Sequence, residues 1–252
     1  MNPDKCKLLI TKCDRDISII LNNEIIECSE SVKLLGVTID NKLNFTEHIT
    51  KLCKKVSSKL HALARVSNYM CQDKLRTLMK SFIESQFSYC PLIWMFHSRT
   101  LNNRINRLHE RGLRLVYKDY TLTFDELLRK DKSFSIHHRN LQLLAIEMYK
   151  VFKGVAPAFM SDIFGIHPNA NTVNVSANTR SGRCFYNQSN PKTVKYGLET
   201  LRSLGPKIWN LIPTDLKDIS SLPLFKVKIR KWVPRNCPCR LCYSFVPQLV
   251  FL

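Results

Sequence analysis

The sequence predicts a mainly α chain with a small N-terminal β-hairpin or strand element (α+β), in which a helical bundle is followed by a C-terminal helical, cysteine-containing segment. Three observations carry this. From Thr46 onward apolar residues recur at steps of three and four, the spacing of one helix face. Before that point short β-branched runs flank an Asn-Asn pair, which is hairpin chemistry. Hydrophobic residues make up 44% and charged residues 23% of a 252-residue chain, an ordinary globular composition long enough to bury a core without cross-links.

Residues 17–21 and 24–27 read as two strands joined at Asn22-Asn23, and 32–39 as a third in which Gly36 lets another backbone approach closely. Ile49, Leu52, Val56, Leu60, Leu63 and Val66 mark the face of a long first helix. Asp73 is placed as the cap of a second, with Leu75, Leu78, Met79 and Phe82 facing inward. A third helix is expected over about 103–118 and a fourth over about 135–153, stopped by Gly154. Pro157 opens a short helix reaching about 164. Residues 165–195, rich in Asn, Ser and Thr and without a period, read as a polar linker or long loop. A helical segment through Trp209 and a last helix from Ser221 to about Trp232 follow. The expected organisation is therefore 1–45 strands, 46–164 a helical domain, 165–195 linker, and 196–252 a basic segment with a cysteine cluster.

Thirty-nine Lys and Arg against 20 Asp and Glu leave a net charge of +19. That excess points to a polyanionic partner, nucleic acid ahead of an anionic membrane. It is not evenly spread. Residues 1–50 carry a net −2, 51–118 a net +11, 119–170 are neutral, and 171–252 carry +10. The densest run lies on the third helix, where Arg104, Arg107, Arg111, Arg114 and Lys118 step by 3, 4, 3 and 4. They fall in a stripe about 80° wide, beside an apolar stripe of Ile105, Leu108, Gly112, Leu115 and Val116. Cations spaced about one turn apart reach phosphates along one groove. The alternative is a solvated face with a few ion pairs, but Glu110 is the only acid on this helix. Lys54, Lys55 and Lys59 of the first helix are expected to add to the stripe.

Of ten cysteines, seven are scattered, and in a reducing compartment they are expected to be buried apolar residues without disulfides. Cys237, Cys239 and Cys242 cluster. Cys-x-x-Cys is a loop from which two thiolates reach one metal, so a structural zinc is a candidate cofactor here, with Cys184 or His167 as conceivable fourth ligands. Free thiols near the chain end are the alternative. His137-His138 is expected to be a poor metal pair, since adjacent helical residues point to different faces. No G-x-S-x-G, P-loop or G-x-G-x-x-G occurs, which argues against a hydrolase or nucleotide site and against a small-molecule substrate. No apolar window approaches a membrane span, and the N-terminus lacks a signal-peptide core. The three glycosylation-like sequons (at Asn44, Asn174 and Asn187) are therefore set aside. The chain is expected inside the cell, in nucleus or cytoplasm, and not secreted.

Ordered stretches over nearly the whole chain carry a family resemblance. They begin at Val32-Lys-Leu-Leu-Gly-Val-Thr-Ile-Asp40 with Asn44, Phe45 and His48, and continue through Leu60-His-Ala-Leu-Ala-Arg65 and Glu84-Ser-Gln-Phe-Ser-Tyr-Cys-Pro-Leu-Ile-Trp94. The resemblance is strongest at Arg104-Ile-Asn-Arg-Leu-His-Glu-Arg111 with Leu113-Arg-Leu-Val-Tyr117. Later come His138-Arg-Asn140, Glu147-Met-Tyr-Lys150, Gly205-Pro-Lys-Ile-Trp209 and the closing Cys237-Pro-Cys-Arg-Leu-Cys242. Together they resemble the region just past the polymerase core of jockey-like non-LTR retrotransposon reverse transcriptases, which implies that 1–45 is the palm end and primer grip, with Leu35-Gly36 as its grip-like pair. The resemblance also implies a thumb over the helices and a C-terminal domain at the cysteine end. The chain departs from the family in three ways. The metal-binding Asp-Asp motif would lie upstream of Met1, and no Asp-Asp pair occurs. Gly112 stands where the family usually has Ala, and the closing Gln248-Leu-Val-Phe-Leu252 differs from the usual tail. The expectation is a truncated C-terminal fragment of an RNA-directed DNA polymerase that binds template–primer backbone (RNA, RNA–DNA hybrid or DNA) and is no enzyme on its own. The alternatives are a nucleic-acid- or partner-binding module kept by the host, or an inert relic.

Overall fold

Two short antiparallel hairpins open the chain. β1 (Ile19–Leu21) pairs with β2 (Glu24–Ile26) across Asn22-Asn23, and both turn residues have positive φ, 51° and 64°. Asn tolerates that conformation, and a two-residue turn of this hand suits the strand twist. The run expected as one third strand is a second hairpin, β3 (Ser31–Leu34) and β4 (Val37–Asp40). Leu35 and Gly36 form its tip at φ 46° and 86°. Gly36 thus supplies a left-handed turn and does not sit inside a strand.

The structure is a computed structural model describing residues 6–11, 18–164 and 191–234 with Cys237, Cys239, Leu241 and Cys242. The described chain is mainly helical, with its β part confined to these N-terminal hairpins. The heart of the expected linker, residues 165–190, lies outside the described residues, as do Cys184, His167 and the closing residues 243–252. The chain divides into two units, Met1–Ser133 and Phe134–Leu252. The boundary falls inside the 46–164 span expected as one helical domain, because the fourth expected helix packs with the C-terminal helices.

In the first unit Asp40 organises entry to the helices. Its carboxylate accepts the backbone N–H groups of Lys42, Asn44 and Phe45 at 3.1, 2.9 and 2.6 Å, and the Thr38 N–H donates to His48 Nδ1 at 3.3 Å. α1 (Thr46–Val66) buries Ile49, Cys53, Val56, Leu60 and Leu63, whereas its last residue, Val66, is exposed. α2 (Gln72–Leu78) has Cys71 at its N-cap; Asp73 lies within the first turn and is not the cap. Beyond it the chain winds as a π turn over Met79–Ile83 and a 3₁₀ turn over Glu84–Ser88. The change of pitch rotates the apolar face. Met79, Ile83 and Phe87 are buried, while Phe82, expected inward, is exposed.

After the single turn α3 (Pro91–Trp94), α4 (Arg99–Tyr117) starts earlier than expected because Ser98 caps it, accepting the Leu101 N–H at 3.4 Å. Arg104 Nη1 donates to Thr50 Oγ1 at 3.4 Å, and Gly112 lies beside Leu60. Both contacts advance in the same direction along the two helices, so α1 and α4 run parallel. Where a Cβ on Gly112 would stand, Met79 brings Sδ and Cε to 2.4 and 2.3 Å; the methionine takes up the missing side chain. α5 (Phe124–Asp131) opens on a capping box between Thr123 and Glu126. It closes on buried Asp131, which accepts Arg76 Nε at 2.7 Å and the Tyr117 hydroxyl at 2.8 Å. Burial first, then the hydrogen bond to Asp131, pushes Tyr117 up to about 12.

In the second unit α6 (Ile136–Phe152), capped by Ser135, carries the core. It packs with α8 (Leu201–Leu211) and α10 (Leu222–Ile229), with α7 (Ala158–Ile163) and α9 (Thr214–Lys217) as short connectors. Tyr149 stacks on Phe225 at 4.1 Å between ring centroids and donates to the Ile219 carbonyl at 2.6 Å. Gly205 leaves room for Phe164 and Met148, and Trp209 is fully buried beside Phe152. No described helix is long and apolar enough to cross a membrane.

Candidate nucleic-acid interface and metal centre

α4 buries Leu101, Asn102, Ile105, His109, Gly112, Leu113 and Val116. At 100° per residue these centre nearly opposite the basic stripe, so the core-facing and cationic faces are further apart than the sequence suggests. Leu108 and Leu115 are only half-buried at the border. Arg104, Arg107, Arg111 and Lys118 are exposed, and Arg114 is half-buried. Arg114 departs from the expectation. Its Nη2 donates to Glu110 Oε1 at 2.8 Å and to the Leu122 carbonyl at 3.4 Å, so the single acid on the helix does neutralise one member of the stripe. Arg107, Glu110, Arg111, Arg114, Leu115 and Tyr120 line a surface groove of about 340 Å³. Lys118 closes α4 in a left-handed conformation.

The three lysines of α1 do not form one group. Lys59 holds its Nζ 5.8 Å from the centroid of the exposed Phe82 ring. Thr50, which contacts Arg104, lies about 180° around the helix from Lys59. Lys54, four residues after Thr50, shares the α4 side, while Lys55 shares the flank of Lys59. Leu35 and Gly36 sit at the β3–β4 tip, where the Tyr89 hydroxyl donates to the Leu35 carbonyl at 2.5 Å and the Tyr89 ring lies 3.4 Å from the place of a Gly36 Cβ.

The cysteine cluster is assembled by α6 and by the chain leaving α10. Gln142, buried on α6, donates its amide to the Arg230 and Trp232 carbonyls at 3.2 and 2.8 Å. That anchor directs the following residues toward the N-terminal end of α6. There His137 Nε2 lies 3.1 Å from Cys239 Sγ, and the ligand atoms of His137, Cys239 and Cys242 all fall within 4.8 Å of one another. The Cys242 N–H donates to Cys239 Sγ at 3.3 Å. Cys237 is buried and falls outside that 4.8 Å group. His138 Nε2 stands 3.8 Å from Cys242 Sγ.

The electrostatics match a thiolate at the centre. Hydrogen bonds from Cys237 first and Cys242 next, with His137 adding to them, hold Cys239 well below the usual thiol range. The same bond pushes Cys237 up to about 12, and Cys242 is also raised. Burial first, then the neighbouring His137, pushes His138 down to about 4, leaving a neutral imidazole. Cysteine sulfur and imidazole nitrogen are the donor atoms that suit zinc. The scattered cysteines only partly behave as expected. Cys53 is buried, Cys6 and Cys90 are half-buried, but Cys28 and Cys71 are exposed.

Sequence reasoning missed His137 and His138 as neighbours of the cluster and set them aside as a pair. Their partners stand 102 and 104 residues away, so no local spacing announces them. Glu110 as the partner of Arg114 was readable, since acid and base stand at i and i+4. Comparison of the chain with family models, curated proteins and solved structures found no match.

Proposed function

We propose that this chain binds nucleic-acid backbone as the C-terminal, thumb-bearing part of a non-LTR retrotransposon reverse transcriptase, and carries no polymerase chemistry of its own. The observation that supports this most is the α4 face: Arg104, Arg107, Arg111 and Lys118 are exposed along one helix whose opposite face is fully engaged in the core. Lys54 extends the same side. Cations at one-turn spacing contact phosphates without reading bases, which is what holding a template–primer duplex asks of a thumb. The test is fluorescence anisotropy with labelled RNA–DNA hybrids of unrelated sequence. The hybrids should bind alike, and at least as well as single strands, and primer extension with Mg²⁺ should yield no product. Strong preference for one sequence, or no binding at low salt, would remove this reading.

We also propose that Cys237, Cys239 and Cys242 hold a structural zinc. The grouping of two of these thiols with an imidazole inside 4.8 Å supports it. Elemental analysis of the purified protein should return about one zinc per chain.

A further inference from the structure

Three thiolates leave a tetrahedral zinc one protein ligand short. We propose that His137 is that fourth ligand, so that the metal fastens the C-terminal cysteine turn to the first turn of α6; this rests on the zinc reading of the cysteine cluster.

The geometry selects His137 by distance and burial. In a tetrahedral site with ordinary Zn–S and Zn–N bonds, neighbouring ligand atoms stand about 3.6–3.8 Å apart. His137 Nε2 and Cys239 Sγ are at 3.1 Å, so an ion entering between them has only to spread the pair slightly. His137 is nine-tenths buried and belongs with Cys239 and Cys242 to one group of ligand atoms. His138 is less buried, and its Nε2 approaches Cys242 alone, at 3.8 Å. Adjacent helical side chains diverge by about 100°, so one imidazole takes the ion and the other flanks it. Cys237 lies outside that group and would supply the third sulfur by a shift of its turn; three sulfurs and one nitrogen then make the site closed and structural, with no position for a reacting water.

The consequence is mechanical. Beyond Trp232 this segment meets α6 at the cluster, where His137 contacts Cys239 and His138 contacts Cys242. A metal joining residues 102 positions apart closes a long loop and so confines the unfolded chain strongly. Folding of the second unit therefore becomes linked to zinc.

The full chain is purified and assayed for zinc as wild type, His137→Ala, His138→Ala, Cys239→Ser and His137→Cys. Wild type and His138→Ala should carry about one zinc, while His137→Ala and Cys239→Ser lose most of it. Because an alanine at 137 could also act by unfolding α6, the His137→Cys variant decides. It should retain the metal, and with Co²⁺ in place of zinc it should show stronger thiolate-to-metal absorption than wild type, as a fourth sulfur requires. Chelation should lower the melting temperature of wild type by about 10 °C or more and leave His137→Ala unmoved. Zinc in wild type and equally in His137→Ala would overturn the assignment of His137 while leaving the cysteine site standing. Wild type without zinc would overturn both.

Discussion

α4 and α6 are the two longest helices after α1, and they use polar residues in opposite ways. α4 sorts them: its cations face solvent and its core side is apolar apart from Asn102 and His109. α6 is buried nearly all round, so His137, Asn140 and Gln142 are inside the protein. A polar group in that position needs a partner. Gln142 finds the carbonyls at the end of α10, and His137 finds a thiol. The lesson is that charge on α4 is available for a large external partner, whereas polarity on α6 is spent on fastening the chain's own C-terminal segment.

The strongest break in this contrast comes from the support under α4. Asp131→Ala removes a carboxylate that is 1% exposed and binds Arg76 and Tyr117. The loss should destabilise the first unit by about 3 kcal/mol, read from denaturant unfolding. Second in size is Gln142→Leu, which keeps volume but leaves two carbonyls without their donor. It should cost the second unit about 2 kcal/mol and leave the unfolding of the first unit unchanged.

Within the stripe itself the effects are smaller and differ by residue. Arg107→Gln should make the salt dependence of nucleic-acid binding shallower by about one phosphate contact, while Arg114→Gln, whose guanidinium is held by Glu110, should change it less. Equal effects would mean that the ion pair opens on binding. The smallest effect is on acid stability. Thr121 first, then Lys130, hold Asp119 down to about 2. Its folded value is below its unfolded one, so the stabilisation is present above about pH 4 and is lost as pH falls toward 2. Asp119→Asn should flatten melting temperature against pH in that window only.

Much of this was readable in the residues. The Asn22-Asn23 turn, the face of α1 and the cationic row of α4 each follow from local spacing. The second hairpin was not, because Val32 to Ile39 is continuously strand-like and nothing marks Leu35 as left-handed. α5 went unread, although Thr123 and Glu126, a capping pair in an otherwise featureless neutral stretch, mark its start. The candidate metal centre was half legible. Three cysteines close in sequence show themselves, but an all-buried helix hides its period, and the imidazole that meets them lies a hundred residues upstream.

The central claim is that the outward face of α4 holds nucleic-acid backbone. The direct measurement is the binding constant for an RNA–DNA hybrid as a function of salt, for wild type and for the triple variant Arg104→Gln, Arg107→Gln, Arg111→Gln. Each neutralised phosphate contributes a slope of roughly −0.7 to −0.9 in log K against log salt. A folded triple variant should bind every sequence more weakly, with a slope shallower by about 2 to 3. A folded triple variant with an unchanged slope would contradict the account and show the row to be a solvated face.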